Sequence, residues 1–197
     1  MQQLEELSKV LRKRGYESEV FSSGSLVSEK VCKMVKGHTI GFSNSMTIRR
    51  LGLPDSVKNY AKRFFTHIPG RGGEEERRAL TADYYLTSAN AISMDGHIVN
   101  IDGTGNRVAA TCFGPGEVIY LIGKNKITET LDEATKRAKW VAVKLAQYYH
   151  RNTPCAITGK CEDCLSADCI CSITSIHRKK PYGTDISIFL INEELGL

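Results

Sequence analysis

Residues Val118-Ile-Tyr-Leu-Ile-Gly123 form an apolar run with no polar alternation. A strand of that kind has no face to offer water, so it must run through the middle of a sheet covered on both sides. Around it, strand-like and helix-like segments take turns along the chain. Leu4, Leu7, Val10 and Leu11 predict a helix over 2–14 that ends before Gly15. A short strand follows over 16–21, then a helix over 25–35 stopped by Gly37, then a second strand over 38–42. The segment 54–65 gives no clear signal, and 68–73 reads as a glycine-rich loop before a helix over 75–81. Residues 82–90 read as a buried strand with a polar end, and 92–101 as a hairpin turning on Asp95-Gly96. Leu131, Ala134, Ala138, Val141, Ala142, Leu145 and Tyr148 recur at helical spacing, giving a long amphipathic helix to about Tyr149. Residues 173–176 and 186–191 read as two last strands. This alternation, without repeats or linkers, predicts one α/β domain over 1–197 with a three-layer, mainly parallel sheet. In such sheets ligands collect beyond the carboxyl ends of the strands.

The chain has 197 residues, 41% of them hydrophobic and 25% charged, as expected of an ordinary soluble globular domain able to bury a core. No apolar run approaches the length of a membrane span, and the first residues lack the pattern of a signal peptide. The sequence therefore reads as cytoplasmic. The net charge of +5 is carried by short, scattered runs such as Arg12-Lys-Arg14, Arg49-Arg50 and Arg178-Lys-Lys180. A nucleic-acid surface would need one basic stripe with interleaved aromatics, so nucleic acid is not expected. An acidic metabolite suits this balance better.

Three polar turns could meet such a ligand. Ser43-Asn44-Ser45-Met-Thr47 follows a strand and opens a helix, where free amides and the dipole favour a phosphate or carboxylate, with Arg49 one turn on. The same residues also suit an ordinary capped helix. Asp102-Gly103-Thr-Gly105-Asn106-Arg107 gathers an acid, an amide and a guanidinium around two glycines that permit close backbone approach. It lacks the spacing of a dinucleotide fingerprint. Asn90 ends a strand among small residues, where it could bind a ligand or simply shape a turn. No Ser/His/Asp set and no Cys/His pair can be assembled. A carboxylate, Asp102 or Asp95, suits an acid–base role better, and Asp102 is the candidate catalytic residue.

Cys32 and Cys112 stand alone in largely apolar surroundings, but Cys155, Cys161, Cys164, Cys169 and Cys171 fall within 17 residues. A reducing compartment disfavours disulfides among them. The C-x2-C step of Cys161 and Cys164 puts two thiolates on one knuckle, and Cys155 and Cys171 can close a four-thiolate shell. That shell suits zinc or an iron–sulfur cluster, with free or redox-active thiols as the alternative.

The segments Gly41-Phe-Ser-Asn-Ser45, Ala79-Leu-Thr-Ala-Asp-Tyr-Tyr-Leu-Thr-Ser-Ala-Asn-Ala-Ile92, Gly96-His-Ile-Val-Asn-Ile-Asp-Gly-Thr-Gly-Asn-Arg107, Phe113-Gly-Pro115, Ile122-Gly-Lys-Asn-Lys-Ile127 and the cysteine run together resemble the LUD-domain (lactate-utilisation) family. The resemblance covers nearly the whole chain. It implies a sheet of the sugar-phosphate isomerase and CoA-transferase type, whose ligands are anionic, and a role in lactate or related organic-acid metabolism. It also implies iron–sulfur oxidoreductase partner subunits for some members. In the family's cysteine pattern the matching positions are Cys155, Cys161, Cys164 and Cys171, with arginine where this chain has Cys169. Two functional classes follow: a protein that binds a small anionic metabolite, or an electron-transfer or accessory subunit with a metal on its cysteines. An oligomer touching through the 70–73 loop is compatible with either.

Overall fold

The central run is indeed the middle of a sheet. In the computed structural model, which describes residues 1–66 and 73–197, it forms strand β7 (Glu117–Gly123), and Val118 to Ile122 have no solvent exposure. Before it the chain forms α1 (Gln2–Lys13), β1 (Glu17–Phe21), α2 (Gly24–Met34), β2 (Thr39–Phe42), α3 (Met46–Arg50), α4 (Leu53–Ser56) and β3 (Arg63–Thr66). Then come α5 (Glu74–Ala79), β4 (Tyr84–Thr87), β5 (Ala91–Ser93), β6 (Ile98–Asp102) and α6 (Asn106–Cys112). After β7 stand a 3-10 turn (Lys124–Lys126), β8 (Ile127–Thr128), α7 (Leu131–Tyr148), α8 (Pro154–Thr158), β9 (Ile173–His177) and β10 (Asp185–Ile191).

Six strands form a wholly parallel sheet in the order β1-β10-β7-β4-β2-β3. Its two faces follow from the period-two alternation of β7. Val118, Tyr120 and Ile122 pack against Leu4, Leu7 and Leu11 of α1, while Ile119 and Leu121 pack against Val27 and Val31 of α2 and Ile48 of α3. The three-layer architecture is therefore as the sequence implies.

A second sheet, in the order β8-β5-β6-β9, was not legible as a separate unit. The Asp95-Gly96 hairpin forms, with Gly96 at φ 84, and joins β5 to β6. Strand β9 pairs antiparallel with β6 instead of entering the main sheet. Ile173 and Ile176 are exposed, so β9 is an edge strand and not a buried one. Ala91, Val99 and Ile101 of this sheet pack on Ala134 and Ala138 of α7. Helix α7 itself starts with a capping box, Thr130 accepting from the Glu133 amide while the Glu133 carboxylate accepts from Thr130 N.

Strand β3 went unread because it is a four-residue edge strand in a mixed basic and apolar segment. The predicted loop over 68–73 lies, apart from Gly73, outside the described residues, as does most of the 70–73 segment suggested for oligomer contact. Among the described residues, no helix is long and apolar enough to cross a membrane.

Helix α5 ends tight against Gly41 in β2. A Cβ there would stand 2.7 Å from the Tyr85 ring, 2.8 Å from Ala79 Cβ and 2.9 Å from Ala79 O. Gly41→Ala is therefore expected to lower stability by roughly 1–3 kcal/mol through overpacking. A lowered denaturant midpoint measures it; an unchanged midpoint would mean that α5 yields without cost.

Candidate functional site

All strands of the main sheet point the same way, so β2, β4 and β7 release the chain at one edge. Ser43 and Asn44 leave β2 there, Ser88, Ala89 and Asn90 leave β4, and the Lys124–Lys126 turn leaves β7. The second sheet delivers the end of β6 and the start of α6 to the same place. Two adjoining cavities result. The outer one, about 320 Å³, is bounded by Ser43, Asn44, Asp102, Gly103, Asn106 and Arg107, with Leu145 and Tyr149 at the end of α7 as its side wall. An inner one of about 40 Å³ lies against Ser45, Ser88, Asn90 and Lys126, and shares Asn44, Arg107 and Leu145 with the first.

Ser43 is almost wholly buried, and its hydroxyl has no hydrogen-bond partner. Ser88, in the inner cavity, is in the same condition. Burying a hydroxyl without a partner costs on the order of 1–3 kcal/mol, which an arriving ligand could recover. Asn44 Nδ2 donates to the Tyr149 hydroxyl at 3.4 Å, linking the β2 turn to α7.

Arg107 crosses between the cavities. Its guanidinium donates to Ile101 O and, at 3.4 Å, to Asn90 Oδ1. Its Nε has no hydrogen bond, only the Asp102 carboxylate at 3.8 Å. Asn90 also accepts from Ile101 N at 2.8 Å, and its carbonyl accepts from Arg137 of α7. Arg137 further donates to Asn125 O at 3.0 Å, so one guanidinium ties the β4 and β7 loops together.

The expected roles of several residues change in this setting. The Asp102 carboxylate accepts from Thr104 N and Val108 N, both at 3.2 Å, and so holds the start of α6. That is an anchoring arrangement, and both of its oxygens are engaged. Asp95 lies in the hairpin turn near Arg14, just after α1, and lines neither cavity. Thr47 points away, donating to Leu195 O at 3.2 Å, and Ser45 caps α3 by accepting from Ile48 N. Helix α3 has five residues and α6 seven, too short for the summed helix dipole expected from the sequence to matter much. Gly105 serves the backbone, with φ 86 as the N-cap of α6, while Gly103 lets the backbone of Ile170 approach to 3.0 Å of where its Cβ would stand.

Lys126 was not singled out by sequence. It is 6% exposed, and its Nζ donates to Ala89 O at 3.1 Å. Burial, then the charges of Arg137 and Arg107, bring its pKa down to about 7. Among the described residues the cavities thus carry Lys126, Arg107 and, at the outer rim, Arg151, against one side-chain carboxylate, Asp102, that is already occupied. A lysine in a buried turn directly after the central strand was the available signal.

A Cys/His pair exists after all. Cys112 Sγ is 3.6 Å from His177 Nε2, across 65 residues of sequence. Cys112 is exposed as a residue, but partial burial of its thiol raises that pKa and burial lowers the imidazole pKa, and neither residue borders the two cavities. A thiol with a raised pKa is a poor nucleophile, so the pair is not placed in the site.

The cysteine run lies behind the outer cavity. Cys155, Cys161, Cys169 and Cys171 border a further space of about 90 Å³ under α7. Cys169 borders this space and Cys164 does not. Asp168, next to Cys169, accepts from Arg151 at 2.9 Å and from Asn152 N at 2.7 Å and ties this segment to the chain after α7. The Cys171 thiol is pushed up to about 11 by burial, then by Cys169, Cys161 and Cys164, so Cys164 stays within reach of the others. Soft thiol donors fit zinc or iron chemically. Their arrangement does not yet fit: among the described residues, no three Cys, His, Asp or Glu side chains form a group that could hold a metal ion. The thiols share a space without converging on one point.

Comparison with known proteins bears on the fold and the family. The family model described as LUD domain matches residues 4–191. None of the curated proteins matches the chain. Among solved structures, a DUF162 family protein from Deinococcus radiodurans superposes with a TM-score of 0.55 at 13% identity, over 96% of each chain. At that identity the likeness speaks for the fold. The family model spans nearly the entire sequence, and this chain belongs to the LUD-domain family.

Proposed function

We propose that this protein binds a small anionic metabolite, an organic acid or its phosphate or activated ester, in the cleft between the β2–α3 and β6–α6 turns. The observation that carries this reading is that Ser43, with an unpartnered buried hydroxyl, and Arg107, whose Nε makes no hydrogen bond, border the same space. A guanidinium and a hydroxyl bordering one cleft suit a carboxylate or phosphate. The volume of about 320 Å³ suits a molecule of metabolite size. Membership of a family named for lactate utilisation makes hydroxy and keto acids the first ligands to try.

The test is titration calorimetry with inorganic phosphate, lactate and pyruvate, on the wild type and on Arg107→Gln. Loss of one charge-assisted contact should weaken binding by roughly ten- to a hundredfold in the variant. Equal affinities for the two proteins would remove Arg107 from the site.

A second reading has one observation behind it, the four thiols bordering a single space. A metal drawing Cys155, Cys161, Cys169 and Cys171 together would make the chain an electron-transfer or accessory subunit. Iron and sulfide content after anaerobic purification decides it; protein free of iron, sulfide and zinc under those conditions removes this reading.

A further inference from the structure

Lys126 has surroundings unlike those of a structural lysine. It is 6% exposed, and among the described residues no carboxylate lies within ion-pair distance of it. Its single hydrogen bond goes to the Ala89 carbonyl, 3.1 Å away. The charges that face it are like charges, Arg137 on α7 and Arg107 on α6. An unpaired buried ammonium is costly, so the group favours its neutral form. Burial and these like charges bring its pKa down to about 7, so far more of this amine is free at neutral pH than of a surface lysine.

The amine also borders empty space. The inner cavity of about 40 Å³ has room for one small functional group, and Asn44, Ser45, Ser88, Asn90, Arg107 and the last residue, Leu197, also line it. Ser88 is 2% exposed and its hydroxyl has no partner, a second sign that this space is built for something polar. A ligand held in the outer cleft by its anionic group would present its neighbouring atoms here.

We propose that Lys126 is a nucleophile that forms an imine with the carbonyl of an anionic aldehyde or ketone. The inference rests on the anion-binding reading of the cleft and adds the class of substrate. The neutral amine attacks the carbonyl carbon; a C–N bond forms as the C=O π pair moves to oxygen, giving a carbinolamine after proton transfer. Loss of that oxygen as water, with its two protons taken from nitrogen and solvent, leaves a protonated C=N bond. No oxidant or reductant is consumed. The positive imine is stabilised by the substrate's own negative charge, and Ser88 and Asn90 stand where the departing oxygen needs hydrogen bonds.

Reductive trapping tests this. The full chain is incubated at neutral pH with glyoxylate or with glycolaldehyde phosphate, which separate a carboxylate from a phosphate ligand, and with cyanoborohydride, which reduces iminium ions. Peptide mapping then locates the resulting secondary amine. Label on Lys126 in roughly tenfold excess over any other lysine, and its loss in Arg107→Gln, is the expected result. Mapping of the wild type needs no lysine variant to fold; Lys126→Arg adds a control in which the label at this position disappears. Calorimetry of the same probes without reductant separates the two claims. Arg107-dependent binding with no preferential label on Lys126 overturns the imine and leaves the anion site standing. Absence of both binding and label overturns the two together.

Discussion

Replacing Lys126 by methionine is expected to stabilise the protein at neutral pH. The folded chain holds this amine at a pKa near 7, whereas the unfolded chain returns it to about 10.5. Between those values the unfolded state binds the extra proton, so the lysine's contribution is at its worst below pH 7 and improves as pH rises toward 10.5. The gap corresponds to an upper bound on the order of 5 kcal/mol. Loss of the bond to Ala89 O takes back about 1 kcal/mol. A gain of roughly 2–4 kcal/mol at pH 7, fading toward pH 10, is the expected difference. It is read as the difference in denaturant midpoint between variant and wild type across pH, which cancels the thiols and tyrosines common to both. A variant less stable than the wild type at pH 7 would mean that the lysine is a structural anchor. Stability surrendered at a buried, unpaired charge is typical of a group retained for what it does.

Asp102→Asn should act in the opposite direction. The carboxylate holds Thr104 N and Val108 N and lies beside Arg107, so it fixes both the start of α6 and the guanidinium. An asparagine can replace one oxygen, but its amide would face the Val108 amide and the arginine, donor against donor. A loss of roughly 2–4 kcal/mol follows from one buried unsatisfied donor and a weakened ion pair. Thermal unfolding of the variant measures it, with ligand affinity falling in parallel as Arg107 loosens. If stability is kept while only turnover of a substrate is lost, Asp102 is the acid–base group that the sequence first suggested.

Much of the fold was written in local pattern. An apolar run without alternation could only be a central strand, and the Asp95-Gly96 turn could only be a hairpin of its type. The two glycine- and hydroxyl-bearing turns were legible for the same reason, since strand ends and helix starts have strong local signatures. Ser43 and Asn106 border one cleft, although nothing local says that they meet. What stayed hidden depends on partners distant in sequence. Strand β9 is apolar enough for the main sheet, and only its pairing with β6 sends it to the other one. Thr47 looks like Ser43 in sequence, yet one turns to the Leu195 carbonyl and the other to the cleft. Lys126 is one of 27 lysines and arginines, and only its place directly after the central strand sets it apart, a weak signal without the partners that bury it. The Cys112–His177 contact spans two elements that sequence gives no reason to join.

Another opening competes for an anion, the broad one of about 640 Å³ beside Arg50 and Lys124 at the start of α2. Soaking crystals with tungstate, a tetrahedral oxyanion with a strong anomalous signal, distinguishes the two in one measurement. The expected result is a single dominant peak within hydrogen-bonding distance of Ser43 Oγ and the Arg107 guanidinium. A dominant peak at Arg50 and Lys124, with the space between Ser43 and Arg107 filled only by water, would contradict the assignment of this cleft as the binding site.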